Sequence, residues 1–357
     1  MLKIKSIRDL GIQFANNPHK MVGQDGAYSI PLNDNSLLWF FGDTIIGRRI
    51  PGESLWYPGG IAVGPKDMTG RGGTEKMINN TGLISRNITG AAGIDDYKYI
   101  LNNSGSLKQL IPLNENEDPD RIRVWCLHGV EIGALVYLYF IKVETIEEGI
   151  FPVNFKIMGS GLAYGNTKDW NFKRVYFNSS DLLWKADQPH FASAVLNPEG
   201  EYVYLYGVLQ GDDKIQRCYL SRVKKDQISE PDKYEYLSGN SPDWSKSVDD
   251  AIPVFDGMPN EQSVSFNKYL GKYLAVHSFD LSGKIVARTS DTPWGPWSGM
   301  EELWQVRVNS HEELPYPRLI YAGKEHPAIS GGNGKTIYVT YIEFEEYYPH
   351  LIEVNFE

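Results

Sequence analysis

Residues 36–43 read SLLWFFGD, and residues 23–32 just upstream read GQDGAYSIPL. The first run is apolar and aromatic, too short for an ordinary helix, and has the content of a buried strand. The second is a shorter strand with a polar lead-in that contains Asp25. The same pairing returns four times. CLHGVEIG (126–133) precedes ALVYLYFI (134–141), and QPHFASAVL (188–196) precedes EYVYLYGV (201–208). NEQSVSFNKYL (260–270) precedes GKYLAVHS (271–278), and KEHPAISGG (324–332) precedes KTIYVTYI (335–342). Third strands follow at KIQRCYLSRV (214–223), GKIVARTS (283–290) and HLIEVNF (350–356), with outer strands at NFKRVYF (171–177) and KYEYLS (233–238).

Stacking the units puts Asp25, His128, His190, Glu261 and His326 in one column, at steps of 103, 62, 71 and 65 residues. From His190, Glu261 and His326 the next strand's Tyr lies 12 residues on, at Tyr202, Tyr273 and Tyr338. Short strands repeated at such a period suggest an all-β, five-bladed β-propeller forming a single domain over 1–357. Known blade repeats are shorter, about 40–50 residues, so these carry long loops. The chain ends in a third strand, and KIKSIRDLGIQF (3–14) is the expected fourth, closing the ring. The Gly- and Asn-rich stretch at about 66–122 reads as an insertion rimming one face, too poor in apolar residues for a core of its own.

Composition narrows the function. The chain has 357 residues, a net charge of −10, and 9 Trp, 22 Tyr and 14 Phe. An acidic surface argues against tracking nucleic-acid phosphates or adsorbing to anionic membrane. Oligomeric state is not readable. Cys126 and Cys218 lack metal-ligand spacing and read as buried free thiols. The opening MLKIKSIRDLGIQF has no apolar signal region, so the expectation is a soluble protein, cytoplasmic or secreted after loss of a leader.

Five ionisable residues at one repeat position break the rule that core positions are apolar. Converging in a funnel, they mark a site. Glycoside hydrolysis needs two carboxyl groups, one protonated for the leaving oxygen and one ionised for water or attack. Glu261, after the turn residues Pro259 and Asn260, is the candidate general acid, and Asp25 the base or nucleophile. Asp43, ending the neighbouring strand, positions or tunes. His128, His190 and His326 are candidates for binding sugar hydroxyls. Glu325 and His326 point to opposite faces of their strand, and His326 is expected to face the channel. Trp56 and Tyr57, in SLWYPGG, are the aromatic candidates for stacking on sugar, with Arg288 as a further binding candidate. No cofactor is required; the column is compatible with a channel ion such as calcium. Trp294 and Trp297, in SDTPWGPWS (290–298), are expected to pack between blades.

The segments GQDGAYSI, LLWFFGDTIIG, EQSVSFNKYLGKYLAVHS, IVARTSDTPWGPWS and HPAIS resemble the five-bladed β-propeller family catalogued as domain of unknown function 4185. The resemblance spans roughly residues 20–345, outside the 66–122 stretch. It implies a glycosidase fold related to D-arabinan-degrading enzymes and, more distantly, to glycoside hydrolase family 43. It also implies an Asp base in blade one and a Glu acid in a later blade, which Asp25 and Glu261 match by position. The family's second Asp has no match in the column, where His128 stands; Asp43 or Asp187 is the substitute. Two rival readings remain open. One is a non-catalytic carbohydrate-binding propeller. The other is a metal-dependent lyase or oxidoreductase using the histidines.

Overall fold

Leu37–Phe41 is a strand with all five residues buried. Both its faces are therefore covered, as its unbroken apolar run requires. The computed structural model describes residues 2–63, 72–87, 89–239, 241–307 and 315–357. Within them the regular structure is antiparallel sheet, joined by loops that carry a few short 3-10 turns. No helix among these residues is long and apolar enough to cross a membrane.

The sheets follow one another along the sequence. Met21–Gln24, Thr44–Gly47 and Thr74–Ile78 form one sheet, and Tyr28–Pro31, Leu37–Phe41, Thr81–Ser85 and Tyr97–Tyr99 another. These two are one set of strands, each broken at a polar step. The next sheet is built on Ile122–Ile132, Leu135–Ile146 and Asn154–Gly165, and a further one on His190–Leu196, Tyr202–Gln210 and Gln216–Lys224. Gln262–Asn267, Lys272–Phe279, Lys284–Ser290 and Glu301–Gln305 make the next. The last comprises Ile320–Glu325, Thr336–Glu343, Pro349–Phe356 and, from the other end of the chain, Ile4–Ile12. That N-terminal strand runs antiparallel to Pro349–Phe356, with Ile4 opposite Phe356 and Ile12 opposite His350.

The first strands of successive sheets touch in order. Tyr28–Pro31 meets Ile122–Ile132, which meets His190–Leu196, then Gln262–Asn267, then Ile320–Glu325. The turn Pro327–Ile329 comes back against Tyr28–Pro31. Apolar wedges fill the spaces between neighbouring sheets. Ala194, Tyr206 and Cys218 pack with Val264 and Ala275, and Leu274 and Val276 pack with Ile337, Val339 and Ile352. Phe14, Trp39 and Leu83 pack with Ile329, Tyr338 and Leu351. Trp294 and Trp297 lie against the first of these wedges, as expected from sequence. Cys126 and Cys218 are buried and free.

Two expectations need correction. The stretch 66–122 is no mere insertion. Its strands Thr74–Ile78, Thr81–Ser85 and Tyr97–Tyr99 pair as the outer strands of the first two sheets. Thr74–Ile78 reads as polar because its middle is exposed, which hides it from a search for apolar runs. Residues 64–71 lie outside the described residues. The other correction concerns KEHPAISGG. The inner strand is Ile320–Glu325 and ends before His326. Pro327 has no N–H for a ladder, and two 3-10 turns at Pro327–Ile329 and Gly332–Gly334 occupy the interval where a strand was expected.

Candidate active site

The polar break in the first strands places two of the carboxylates. Asp25 N donates to Asp43 O at 2.9 Å, and Gly42 N donates to Asp25 O at 2.8 Å. The hairpin is thus held across its break, with one Asp on each strand. The approach is close: a Cβ on Gly42 would lie 2.9 Å from Asp25 Oδ2. On the third strand the break carries Asn79 and Asn80. Asn79 accepts from Val124 N at 2.6 Å, and Asn80 donates to Val124 O at 3.0 Å, which ties the break to the next sheet.

Glu261 immediately precedes the strand Gln262–Asn267 and is near enough to Asp25 to act on its charge. Burial pushes the Asp25 carboxyl up to about 8; Tyr321 opposes this, and Asp43 and Glu261 add to it. The Tyr321 hydroxyl donates to Asp25 Oδ1 at 2.5 Å. Burial raises Asp43 to about 6, against the pull of Arg123 and Trp125. Arg123 Nε stands 3.6 Å from Asp43 Oδ2, and Asp43 Oδ1 is buried with no hydrogen-bond partner among the described residues. Burial also raises Glu261, opposed by Lys324. Three carboxyl groups so placed cannot all be ionised cheaply, so the cluster retains a proton near neutrality.

Lys324 completes the site and was not singled out in the sequence. It is 1% exposed, donates to Leu127 O at 2.5 Å, and lies 3.9 Å from the centre of the Tyr28 ring. Burial drives its amine well below the ordinary lysine value, with Glu261 opposing. A register shift between Tyr321 and Lys324 sets Lys324 opposite Thr340. His326 N donates to Tyr338 O, one step beyond the end of the strand and at the start of the turn Pro327–Ile329. Lys324, and not His326, therefore meets Glu261. The signal available was a lone lysine at the end of the run LIYAGK.

The remaining candidates divide. The His326 ring is 1% exposed and uses both nitrogens, with Ser29 Oγ at 2.8 Å and Thr340 Oγ1 at 2.7 Å. It lies on Trp39 at 4.4 Å and is a packed core group, which corrects its expected role facing a channel. Glu325 is buried too and accepts from Ser265 Oγ at 2.8 Å. His128 stands near Lys324, and burial followed by that lysine drives it well below the usual imidazole value. His190 is buried, held near 4 by burial, and its Nε2 has no hydrogen-bond partner among the described residues. No metal-ligand cluster of these three histidines is present among the described residues.

Trp56 is also corrected. It is 2% exposed, donates to Phe344 O at 2.7 Å and stacks on Phe344 at 4.5 Å, leaving no face for a sugar. Tyr57 is partly exposed and stacks on Tyr316 at 5.6 Å. Arg288 is a staple, not a ligand group. It donates to Asp256 O at 2.6 Å and Ser298 O at 3.1 Å and covers Phe255. Asp187 is exposed in the turn before His190 and is not among the groups that perturb the three carboxylates.

Several solved structures share this architecture. A putative hydrolase from Bacteroides ovatus superposes with a TM-score of 0.65 at 15% identity, covering 97% of this chain and 87% of that one. The catalytic domain of a GH62 α-L-arabinofuranosidase from Coprinopsis cinerea gives 0.50 at 10% identity, covering 99% and 97%. At these identities the likeness is one of fold. No curated protein matches the sequence. Residues 9–353 match the family described as "Domain of unknown function (DUF4185)", and over that near-complete span the chain belongs to it.

Proposed function

We propose that this protein is a glycoside hydrolase, a five-bladed β-propeller whose central site cleaves a glycosidic bond, with arabinofuranosides as the first substrate class to try. The observation that carries the reading is the gathering of Asp25 and Asp43, at the breaks between neighbouring strands, with Glu261, just before Gln262–Asn267, into one largely buried, proton-retaining cluster. Blade count rests on the order in which the first strands touch and on the apolar wedges between sheets. The choice of sugar rests on the GH62 relative's name. Asp43 Oδ1 and Asn260 Oδ1, both buried and unpartnered among the described residues, are acceptors that a ligand's hydroxyls would satisfy.

The chemistry needs one proton on one carboxyl and a charge on the other. Asp25 and Glu261 are the pair, and Asp43 keeps them coupled. Sequence position argues for Glu261 as acid and Asp25 as base. The resting electrostatics lean the other way, because Lys324 favours the charged form of Glu261 while Asp25 faces two carboxylates. Substrate decides between these by which carboxyl it leaves beside the leaving oxygen. No step calls for a cofactor.

The test is a digestion screen with arabinan, xylan and their oligosaccharides, with product anomers read by NMR. Asp25→Asn and Glu261→Gln should each lower kcat/KM by about 100-fold or more on a natural linkage. On a furanoside with an activated aryl leaving group, the variant lacking the proton donor should recover, and the variant lacking the base should not. Sugar binding without turnover, or full activity in both variants, would sink the proposal.

A further inference from the structure

The wall beside Asp43 carries two aromatic rings that the carboxylate cluster does not account for. Trp125 lies near the start of Ile122–Ile132, the first strand of its sheet, and Phe155 near the start of Asn154–Gly165, two strands further out. These two strands run in the same direction, so both rings stand at the end of the sheet that meets Asp43, where Arg123 Nε is 3.6 Å from Asp43 Oδ2. Pairing explains how they meet. On the strand between them, Trp125 is opposite Ile141 and Phe155 opposite Thr145, positions that share a face. The rings touch edge to face, with centroids 4.8 Å apart and 86° between planes.

The polar edge of the indole is turned inward. Trp125 Nε1 is buried with no hydrogen-bond partner among the described residues, and it stands beside Asp43, whose carboxyl it draws down. Trp125 is only partly buried, so the surface that its ring shows to solvent is carbon. Phe155 beside it is 45% exposed. A single exposed apolar side chain is ordinary. Here two rings make one apolar corner that begins at the cluster and runs outward across two strand spacings, about 10 Å.

We propose that Trp125 and Phe155 form a subsite for a second sugar ring, adjoining the ring held at Asp25 and Glu261, and that they make the site selective for sugar chains over single sugars. The assignment rests on the reading of the cluster as a sugar-cleaving centre. A sugar ring has an apolar C–H face that lies on aromatic carbon while its hydroxyls stay in water, so the corner suits a ring that is bound and not cut. Because Trp125 abuts Asp43, a ring stacked there would fix where the neighbouring glycosidic bond falls against the carboxyl groups.

The experiment titrates arabinose, arabinobiose and arabinotriose, and the xylose series of the same lengths, into the full chain carrying Asp25→Asn, so that binding is read without turnover. Calorimetry compares this parent with the same protein carrying Phe155→Ala or Trp125→Phe. In one of the two series the parent should bind two rings about 10-fold more tightly than one. Phe155→Ala should cut that ratio to about 2-fold, and Trp125→Phe, which keeps a ring and avoids opening a hole, should cut it about 3-fold. A ratio that both variants leave intact overturns the assignment, and so does a parent that binds neither series or binds one ring as tightly as two. Turnover is scored separately with Asp25 intact. Length-dependent binding without turnover keeps the subsite and removes the hydrolase reading. Turnover with a ratio indifferent to both variants removes the subsite and keeps the hydrolase.

Discussion

Asp25 stores a cost that catalysis would use. Its carboxyl sits at about 8 in the folded protein against an ordinary value of 3.8, because burial and two neighbouring carboxylates oppose its charge. The native state therefore holds this proton more tightly than the unfolded chain. The linked stability is fully present below about pH 4 and is lost as pH rises through about 8. Asp25→Asn removes the titration. We expect the variant to match or exceed wild-type stability at pH 8, by roughly 1–3 kcal/mol given that part of the side chain still meets solvent. Melts of both proteins from pH 4 to 9 check this: the gap should widen up to about pH 8 and then level. Parallel curves would show that Asp25 is not the proton-holding group. At this scale Asp25 and Glu261 stood out as ionisable residues at a repeat position that should be apolar, and Asp43 as the acidic end of an unbroken apolar strand. Lys324 and Tyr321 were not, because a register shift, invisible in spacing, brings them to Asp25 and Glu261. The same shift, with Pro327 after it, removes His326 from the role its spacing suggested.

Among elements, the stretch before the strand Ile122–Ile132 is anchored by charge. Glu117 Oε1 lies 2.6 Å from Lys142 Nζ and 2.8 Å from Arg174, and Asp181 Oδ2 lies 2.6 Å from each of the same two cations. Two anions and two cations balance in a buried cluster. Burial alone would raise Glu117, but the bonds from Arg174 and Lys142 outweigh it and hold the carboxyl down at about 2. This stabilisation is present above about pH 4.5 and lost as pH falls towards 2. Glu117→Gln leaves excess buried positive charge and should cost about 3–5 kcal/mol near pH 7. Denaturant melts should show the deficit shrinking below pH 4.5; a deficit independent of pH would point to packing instead. Strands such as Leu135–Ile146 were legible because they are buried on both faces and read as apolar runs. Tyr97–Tyr99, three residues long and paired only with Thr81–Ser85, leaves too short a pattern to find.

For the whole molecule, the last sheet needs the first strand. Ile4–Ile12 pairs along Pro349–Phe356, and Ile4 and Ile7 pack on the wedge that holds Ile352, Val354 and Phe356. Removing residues 2–12 uncovers that wedge and a long strand edge, an invitation to pair with another chain. We expect the truncated protein to melt at a markedly lower temperature and to aggregate on heating. An unchanged melting temperature would show that the strand is ornamental.

The meeting of the ends has a further consequence. Glu357 N donates to Lys3 O at 2.9 Å, so the two termini are neighbours in space. The polypeptide is in effect a necklace with its clasp in the last sheet. A short linker across the clasp and a new opening at the exposed residues Glu199 and Gly200 would give a circular permutant with every strand pair intact. Which sheet comes first along the chain is then a matter of where the necklace is unfastened, and the sugar-cleaving chemistry proposed for Asp25 and Glu261 is indifferent to it.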